Sequence, residues 1–466
     1  MTREHATSSD ATVPLPRPAA RRTRARAGRA KSGKAGRLLQ ALEPIGTRLC
    51  RPPILLKLAR LPRPPWRVRR SIRLPLEPWP APHVRVPPDL LRTPGIERDR
   101  AAEDAAFAQS PIHDFEHVFE QAAIWGFSNQ WKALLPTAPR MFGGVRRGHQ
   151  RVARALERAR AGARVEDPTE LDRLIRQVAR DAGLSAIGVA PFDERYWFEE
   201  DRAQVVGDRV VVLVLEQGWE ATQESPNYHF EKSEFIAYGE LHERTCRVAE
   251  ALVHHGYKVA VPGNPSGGQG INIHFAVEAG LGQLGLNGQL LTPLAGSRLR
   301  MMTINTDAPL PFGAPVDYGV TGLCEQCGVC ARNCPSGAIR LRAGMHRGVR
   351  KWKISTERCL PVVSQADGCA VCMRVCPVQK YGLQPVLDHY AETGEVLGKG
   401  TDELEAYEWP LDGSVYRAGE RPHLTKSFMN PAALRGFDSA RQTPGRGGAA
   451  APDLVPDPNG GGATHG

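Results

Sequence analysis

From Asp167 onward the apolar positions fall into alternating helical and extended periods. Pro168, Thr169 and Glu170 open a segment in which Leu171, Leu174, Ile175 and Val178 share one helical face. Leu184 to Val189 reads as a strand, and Arg209 to Leu215 carries the unbroken apolar run of a strand covered on both sides. Ser233 to His255 predicts a long helix with Gly256 in the C-cap place, and Tyr257 to Val261 returns as a strand. Asn272 to Ala279 predicts another helix, a glycine-rich turn follows, and Leu299 to Asn305 is a further strand. Upstream, Ala101 to Arg164 reads as helical, with Phe115, Phe119, Trp125, Phe127 and Trp131 available for packing. The longest aliphatic run, Val210 to Leu215, has six residues. A helical membrane span needs ~20, so no transmembrane segment is expected.

Composition adds a soluble, globular class, since 466 residues with 41% apolar content can build two or three domains. The net charge of +11 suggests nucleic acid until it is divided along the chain. Residues 1–80 hold 19 Lys/Arg against 4 Asp/Glu, whereas the remainder holds 42 against 46. The basic excess is therefore confined to a Pro/Arg-rich leader, too polar and interrupted to fold alone, whose reading is a solvated tail or a contact with an acidic surface. Arg21-Arg22 resembles the start of a twin-arginine signal, but Lys31, Lys34 and Arg37 follow where an apolar stretch of ~7–15 residues is required. The expected compartment is the cytoplasm.

Eight of the ten cysteines crowd into one stretch, which fits a metal module better than a disulfide framework. Cys324-x2-Cys327-x2-Cys330-x3-Cys334-Pro335 has the spacing of bacterial two-cluster ferredoxins, in which the fourth cysteine serves the other cluster. Cys359-x9-Cys369-x2-Cys372-x3-Cys376-Pro377 follows, with a distant first cysteine. The crossing rule gives one 4Fe-4S cluster to Cys324, Cys327, Cys330 and Cys376, and a second to Cys334, Cys359, Cys369 and Cys372. Structural zinc is the alternative, but it takes four ligands, usually as two pairs. Cys246 reads as helix packing and Cys50 is unassigned.

Gly280-x-Gly282-x-x-Gly285 matches the dinucleotide fingerprint, yet it follows a helical pattern where that motif must leave a strand. Read in full, Ala279 to Gly288, then Gly296-Ser297-Arg298-Leu299-Arg300, then Thr306 to Leu310, resembles the reductive dehalogenases and their cousins, the epoxyqueuosine reductases. The resemblance covers roughly residues 168–420. It implies an α+β protein in which a cobalamin-binding, nitroreductase-like α/β domain precedes the two-cluster ferredoxin-like module. The implied organisation is a leader over 1–95, a helical region over 96–166, the corrinoid domain over 167–318, the cluster module over 319–385, and an extension with a Gly/Pro/Ala tail over 386–466.

Ala237-Tyr238-Gly239, and the stretch from Gly256 to Asn264, are similar to the dehalogenase segments bearing the active-site Tyr and Asn, and Arg300 falls where that family has its active-site Arg. The resemblance therefore implies Tyr238 as proton donor, Arg300 as the cation beside it, and Asn264 as an orienting group. Without it, Tyr238 reads as helix packing, Asn264 as a turn residue and Arg300 as a strand-edge charge. The family usually has Glu and Arg where this chain has Gln283 and Leu286. No Asp-x-His-x-x-Gly element supplies a histidine to cobalt, and the resembled families bind the cofactor without one. Gly263, Gly267, Gly268 and Gly270 form a loop that would let backbone N–H groups approach the cofactor's nucleotide tail, or else an ordinary surface loop.

The leading expectation is an oxidoreductase that removes halide from a small organohalide, with electrons from a ferredoxin or flavodoxin relayed through the clusters. An epoxyqueuosine-type reductase acting on tRNA is the second reading, and an electron-transfer or corrinoid-reducing protein without organic substrate is the third. DNA is not an expected partner. No C-terminal helical-repeat extension of the kind some epoxyqueuosine reductases carry is expected either.

Overall fold

The structure, a computed structural model, describes residues 83–112, 131–158, 164–263 and 268–429. Arg100–Gln109 forms α1, capped by Asp99, whose side chain accepts from the amide of Ala102. Trp131–Arg158 forms α2. Pro168–Asp181 forms α3, with Asp167 as the cap and Pro168 in the first turn, where its missing N–H costs nothing. Strands β1, Ala186–Pro191, and β2, Arg209–Glu216, lead into α4, Tyr228–His254. This helix begins five residues before the sequence-based expectation, because the Asn227 side chain accepts from the amides of His229 and Phe230 and starts it there.

Next come β3, Val259–Ala260, and α5, Asn272–Glu278. A hairpin of β4, Gln283–Leu284, and β5, Leu290–Leu291, precedes β6, Leu299–Thr306. The main sheet has the order β1-β2-β6-β3, and all three pairings are antiparallel, so the domain is α+β in detail. Helices cover both faces. Val211, Leu213 and Leu215 pack with Leu171, Ile175, Leu241 and Leu252 on one side, while Val210, Val212 and Val214 pack with Phe275 and Val277 on the other. That double burial explains the unbroken apolar run of β2. Gly280 has φ +74° and ends α5, and the glycines after it run into the β4–β5 hairpin, so the fingerprint-like spacing neither leaves a strand nor opens a helix.

Helices α2 and α4 cross where neither carries a side chain: a Cβ on Gly144 would lie 2.2 Å from the carbonyl oxygen of Gly239. This close approach fixes the turn of α4 that carries Tyr238.

The cysteine-rich part contains α6, Val320–Cys327, α7, Val329–Arg332, the hairpin of β7, Gly344–His346, and β8, Val349–Lys351, then α8, Thr356–Gln365, α9, Val371–Arg374, α10, Pro377–Tyr381, and α11, Leu383–Thr393. The 385/386 boundary expected from sequence falls inside α11. Beyond it, Leu404, Tyr407 and Trp409 pack on Val329, Val362 and Val375, so this stretch completes the module's core. At the other end, residues 83–95, which the sequence reading assigns to the leader, hold ordered contacts. Leu90 is fully buried among Leu323, Val320 and Leu387, and its backbone lies against Gly322. Residues 1–82 and the tail from 430 lie outside the described residues. No described helix is long and apolar enough to cross a membrane.

Candidate functional site

Two groups of thiols are built by near-repeats of the same local structure. Cys324 and Cys327 stand on α6, Gly328 turns the chain with φ +66°, and α7 brings round Cys330. Cys376 arrives from the second run as the N-cap of α10. These four line one cavity, with Leu286, Leu291 and Val378, around about 360 Å³ of atom-free space that is partly open to solvent. Burial raises the Cys324 thiol, and the neighbouring Cys327 and Cys376 raise it further.

The other four form their own group. Burial pushes Cys359 up to about 12, with Cys334 adding to it, while Cys369 is raised by burial and then by Cys359 and Cys334. Cys372 feels Cys359, Cys369 and Cys334 before it feels Cys376. Cys324, Cys327, Cys330 and Cys376 thus share one cavity, while Cys359, Cys369 and Cys372 each feel Cys334. Among the described residues no three His, Cys, Asp or Glu side chains converge as on a single metal ion. Thiols ringing a cavity suit a cubane, in which each sulfur binds its own iron. Buried thiols held this far up also need a strong cation to become thiolates. Backbone amides point at the sulfurs as well: Leu286 donates to Cys324 Sγ at 3.5 Å and Ala338 to Cys334 Sγ at 3.3 Å. Cys246 is separate, buried on α4 beside His242, and Cys50 lies outside the described residues.

Tyr238 and Arg300 meet at the end of the main sheet. Arg300 pairs with Leu215 across β2 and β6, five residues before β3 joins the other side of β6 at Asn305. Its guanidinium carbon lies 5.0 Å from the centre of the Tyr238 ring. The same guanidinium forms an ion pair with Glu234, one turn before Tyr238 on α4. Burial raises the Tyr238 phenol; Arg300 opposes this, and Glu234 and Glu231 reinforce it. The net direction is upward, whereas a cation alone would pull the phenol down, so Tyr238 is held protonated. Burial acts to lower Arg300, but Glu234, Tyr238 and Glu231 together outweigh it and keep the guanidinium charged. Glu234 escaped the sequence reading, although its i,i+4 spacing to Tyr238 put both on one helix face.

A second set of side chains at this end also escaped it. Arg298 and Gln217 are buried; among the described residues Nε and Nη2 of Arg298 and both amide atoms of Gln217 lack hydrogen-bond partners, as does Nε2 of Gln379. Arg298 is anchored through Nη1 to Glu216 and to the carbonyl of Gln217. An unmet buried polar group costs ~1–3 kcal/mol, so this array suits a ligand whose rim carries amides or phosphate. Of the loop glycines, Gly263 faces open space, while a Cβ on Gly270 would lie 2.4 Å from the carbonyl oxygen of Tyr196. Gly268 sits beside Phe198; Asn264 and Gly267 lie outside the described residues.

Residues 323–380 match the 4Fe-4S dicluster domain family. A tetrachloroethene reductive dehalogenase of Sulfurospirillum multivorans is 29% identical over 259 residues, 46% of this chain and 51% of that protein. Another, from Desulfitobacterium hafniense, is 27% identical over 273 residues, 46% of this chain and 49% of the other. Over about half its length this chain is similar to reductive dehalogenases. It spans about half the length of these relatives. An epoxyqueuosine reductase of Salmonella typhimurium is 31% identical over 143 residues, 29% of this chain and 36% of that protein.

Solved reductive dehalogenases share the fold. The catabolic enzyme NpRdhA matches with a TM-score of 0.52 at 20% identity, covering 66% of this chain and 46% of its own. A reductive dehalogenase described in terms of B12-dependent dehalogenation matches with a TM-score of 0.54 at 19% identity, covering 74% and 55%. In this chain the departures at Gln283 and Leu286 have structural uses. Gln283 is buried, with its side-chain oxygen accepting from the amides of Tyr318 and Val320 at 2.8 and 3.1 Å, which pins the entry to α6. Leu286 lines the first thiol cavity.

Proposed function

We propose that this protein is a corrinoid-dependent reductive dehalogenase that carries two 4Fe-4S clusters. Cys324, Cys327, Cys330 and Cys376 hold one, and Cys334, Cys359, Cys369 and Cys372 hold the other. Cobalamin is the cofactor that fits the unmet donors and acceptors of Gln217, Arg298 and Gln379, because its rim carries amide side chains. When bound, it supplies a strongly reducing cobalt centre able to break a carbon–halogen bond. The overall change takes an organohalide, two electrons and one proton to the hydrocarbon and a halide ion. Low-potential electrons arrive from a ferredoxin or flavodoxin, one at a time, through the clusters.

The residues of this chain supply the proton. Tyr238 is half-buried and protonated, and it sits beside a fixed positive charge. Proton loss from its phenol leaves a phenolate that the Arg300 guanidinium stabilises. Asn264 orients the substrate or the phenol. The observation that carries this reading is the Tyr238–Arg300–Glu234 cluster, in the same molecule as the two thiol groups and beside unmet polar atoms.

The test is anaerobic reconstitution with iron, sulfide and cobalamin, followed by absorption and electron-paramagnetic spectra and by chloride or bromide release from halogenated phenols and alkenes with a low-potential dye. Halide release with a substrate-dependent change in the cobalt spectrum is expected. A cobalt spectrum indifferent to every substrate would favour an electron-transfer role. The likeness to epoxyqueuosine reductases over 29% of the chain supports a second reading, reduction of epoxyqueuosine in tRNA, which the same preparation tests with modified tRNA. Cytoplasmic location belongs to this proposal too.

A further inference from the structure

Residues 340–358 carry seven Lys/Arg and one acidic residue, in a chain whose residues beyond the leader are net negative. They form the β7–β8 hairpin and its flanks. Both legs end on the second thiol group. The first leaves Cys334, where Ala338 donates its amide to the sulfur, and the second returns through Ser355, whose amide donates to Ala338 at 2.9 Å, one turn before Cys359. Ile339 and Ile354 bridge the legs beneath the hairpin, packed with Trp352 against Cys334 and Cys359.

The outer surface has the make-up of a binding site. Arg340, Arg342 and Lys353 are exposed and make no hydrogen bond or ion pair among the described residues. Arg347 spends its donors on the carbonyls of Ala106 and Ser110, so its charge is not neutralised. Burial, then Lys353 and Arg347, push the Lys351 amine down to about 8, a sign of an uncompensated positive field. Within this rim two large apolar side chains face solvent, Leu341 at 64% and Met345 at 50% exposure. Leu341 also leans on Gly328, the turn between Cys327 and Cys330. Exposed apolar residues rimmed by polar and charged side chains mark a protein-docking patch, and here the rim is mostly basic, with Glu97 paired to Arg350.

We propose that this hairpin is the docking surface for a small acidic ferredoxin, which delivers electrons to the cluster of Cys334, Cys359, Cys369 and Cys372. The inference rests on the cluster assignment under Proposed function. In each encounter one electron leaves the reduced ferredoxin, which is oxidised, and enters that cluster, which is reduced. Electron transfer slows steeply with distance, so the donor must sit close to the cluster, and the segment packed on Cys334 and Cys359 is the charged one. Apolar Leu341 and Met345 at the centre favour a protein over RNA, and no described contact joins the hairpin to Tyr238 or Arg300.

The variant Arg340→Glu/Arg342→Glu/Lys353→Glu changes three solvent-facing side chains without internal contacts, so iron content and thermal stability should match the parent. Mixing each reconstituted protein with reduced acidic ferredoxin and following the bleaching of cluster absorption measures the step directly. At low salt the variant should react about tenfold or more slowly, and the parent's rate should fall with salt while the variant's does not. The ferredoxin Kd should weaken in parallel, and Arg340→Lys/Arg342→Lys/Lys353→Arg should restore both. Dithionite should reduce parent and variant at similar rates.

Equal rates with ferredoxin overturn the proposal, as does a parent that dithionite reduces and ferredoxin does not. Binding of a tRNA stem-loop that the variant loses, with ferredoxin reduction untouched, assigns the surface to RNA and also overturns it. If no clusters form in the parent, the cluster assignment itself fails, and this inference fails with it.

Discussion

Glu234 and Arg300 form a half-buried ion pair one helical turn from Tyr238, so the carboxylate governs how much positive charge the phenol feels. Glu234 raises the phenol directly and also offsets Arg300, which lowers it. Replacing Glu234 by Gln removes both effects, and the Tyr238 pKa should fall. A proton donor works below its pKa and is lost as pH rises through it. The alkaline limb of the pH–rate profile should therefore move to lower pH in Glu234→Gln, while the iron content stays unchanged. An unmoved limb would mean that another group gives the proton.

Tyr238→Phe keeps the ring and removes the phenolic proton. Turnover should fall by about 10²–10⁴, the usual worth of a positioned proton transfer, with clusters and cobalamin binding retained. Arg300→Met should act in the same direction, through the lost stabilisation of phenolate. Halide release under single-turnover conditions checks both, and near-parental rates in Tyr238→Phe would exclude Tyr238 as donor.

Eight thiols in two groups predict about eight iron and eight acid-labile sulfide per chain. Cys334 lies in sequence with the first run but in space with Cys359 and Cys369. Cys334→Ala should therefore damage the second cluster and spare the first, as read by electron-paramagnetic spectra at two stages of reduction. Selective loss of the first cluster's signal would reverse the assignment.

Leu90 is a plug in the core of the cluster module, packed on Leu323 next to Cys324. Deleting residues 1–80 should leave cluster assembly intact. Deletion of 1–95 should not, and Leu90→Ala should cost about 2–5 kcal/mol of stability, the range for a buried leucine. Thermal unfolding and iron content measure the difference; an unaffected 1–95 deletion would show the plug to be dispensable.

The parts legible in the sequence were those written in local spacing. The cysteine runs, the α3 face of Leu171, Ile175 and Val178, and the doubly buried β2 all follow from residue order alone. What escaped depends on partners distant in sequence. Glu234 gains its meaning from Arg300 on another element, and Arg298, quoted only as part of a family-like string, from the space beside Gln217. Leu90 lay in a proline-rich, basic stretch whose composition argues against a core, yet α6 offers it a slot over Gly322. The early start of α4 came from a cap, Asn227, in front of a segment whose aromatic residues do not announce a helix.

The contact of Glu231 with Gly368 has a mechanical consequence. Gly368 adopts φ +74°, and a Cβ there would stand 1.5 Å from the Glu231 carboxylate, immediately before Cys369. Glu231 lies on the same helix as Tyr238. The missing methyl group thus acts as a shim, setting how far the cysteine-bearing loop stands from the helix of the proton donor. Any side chain at 368 would collide with Glu231 and push the loop away from that helix.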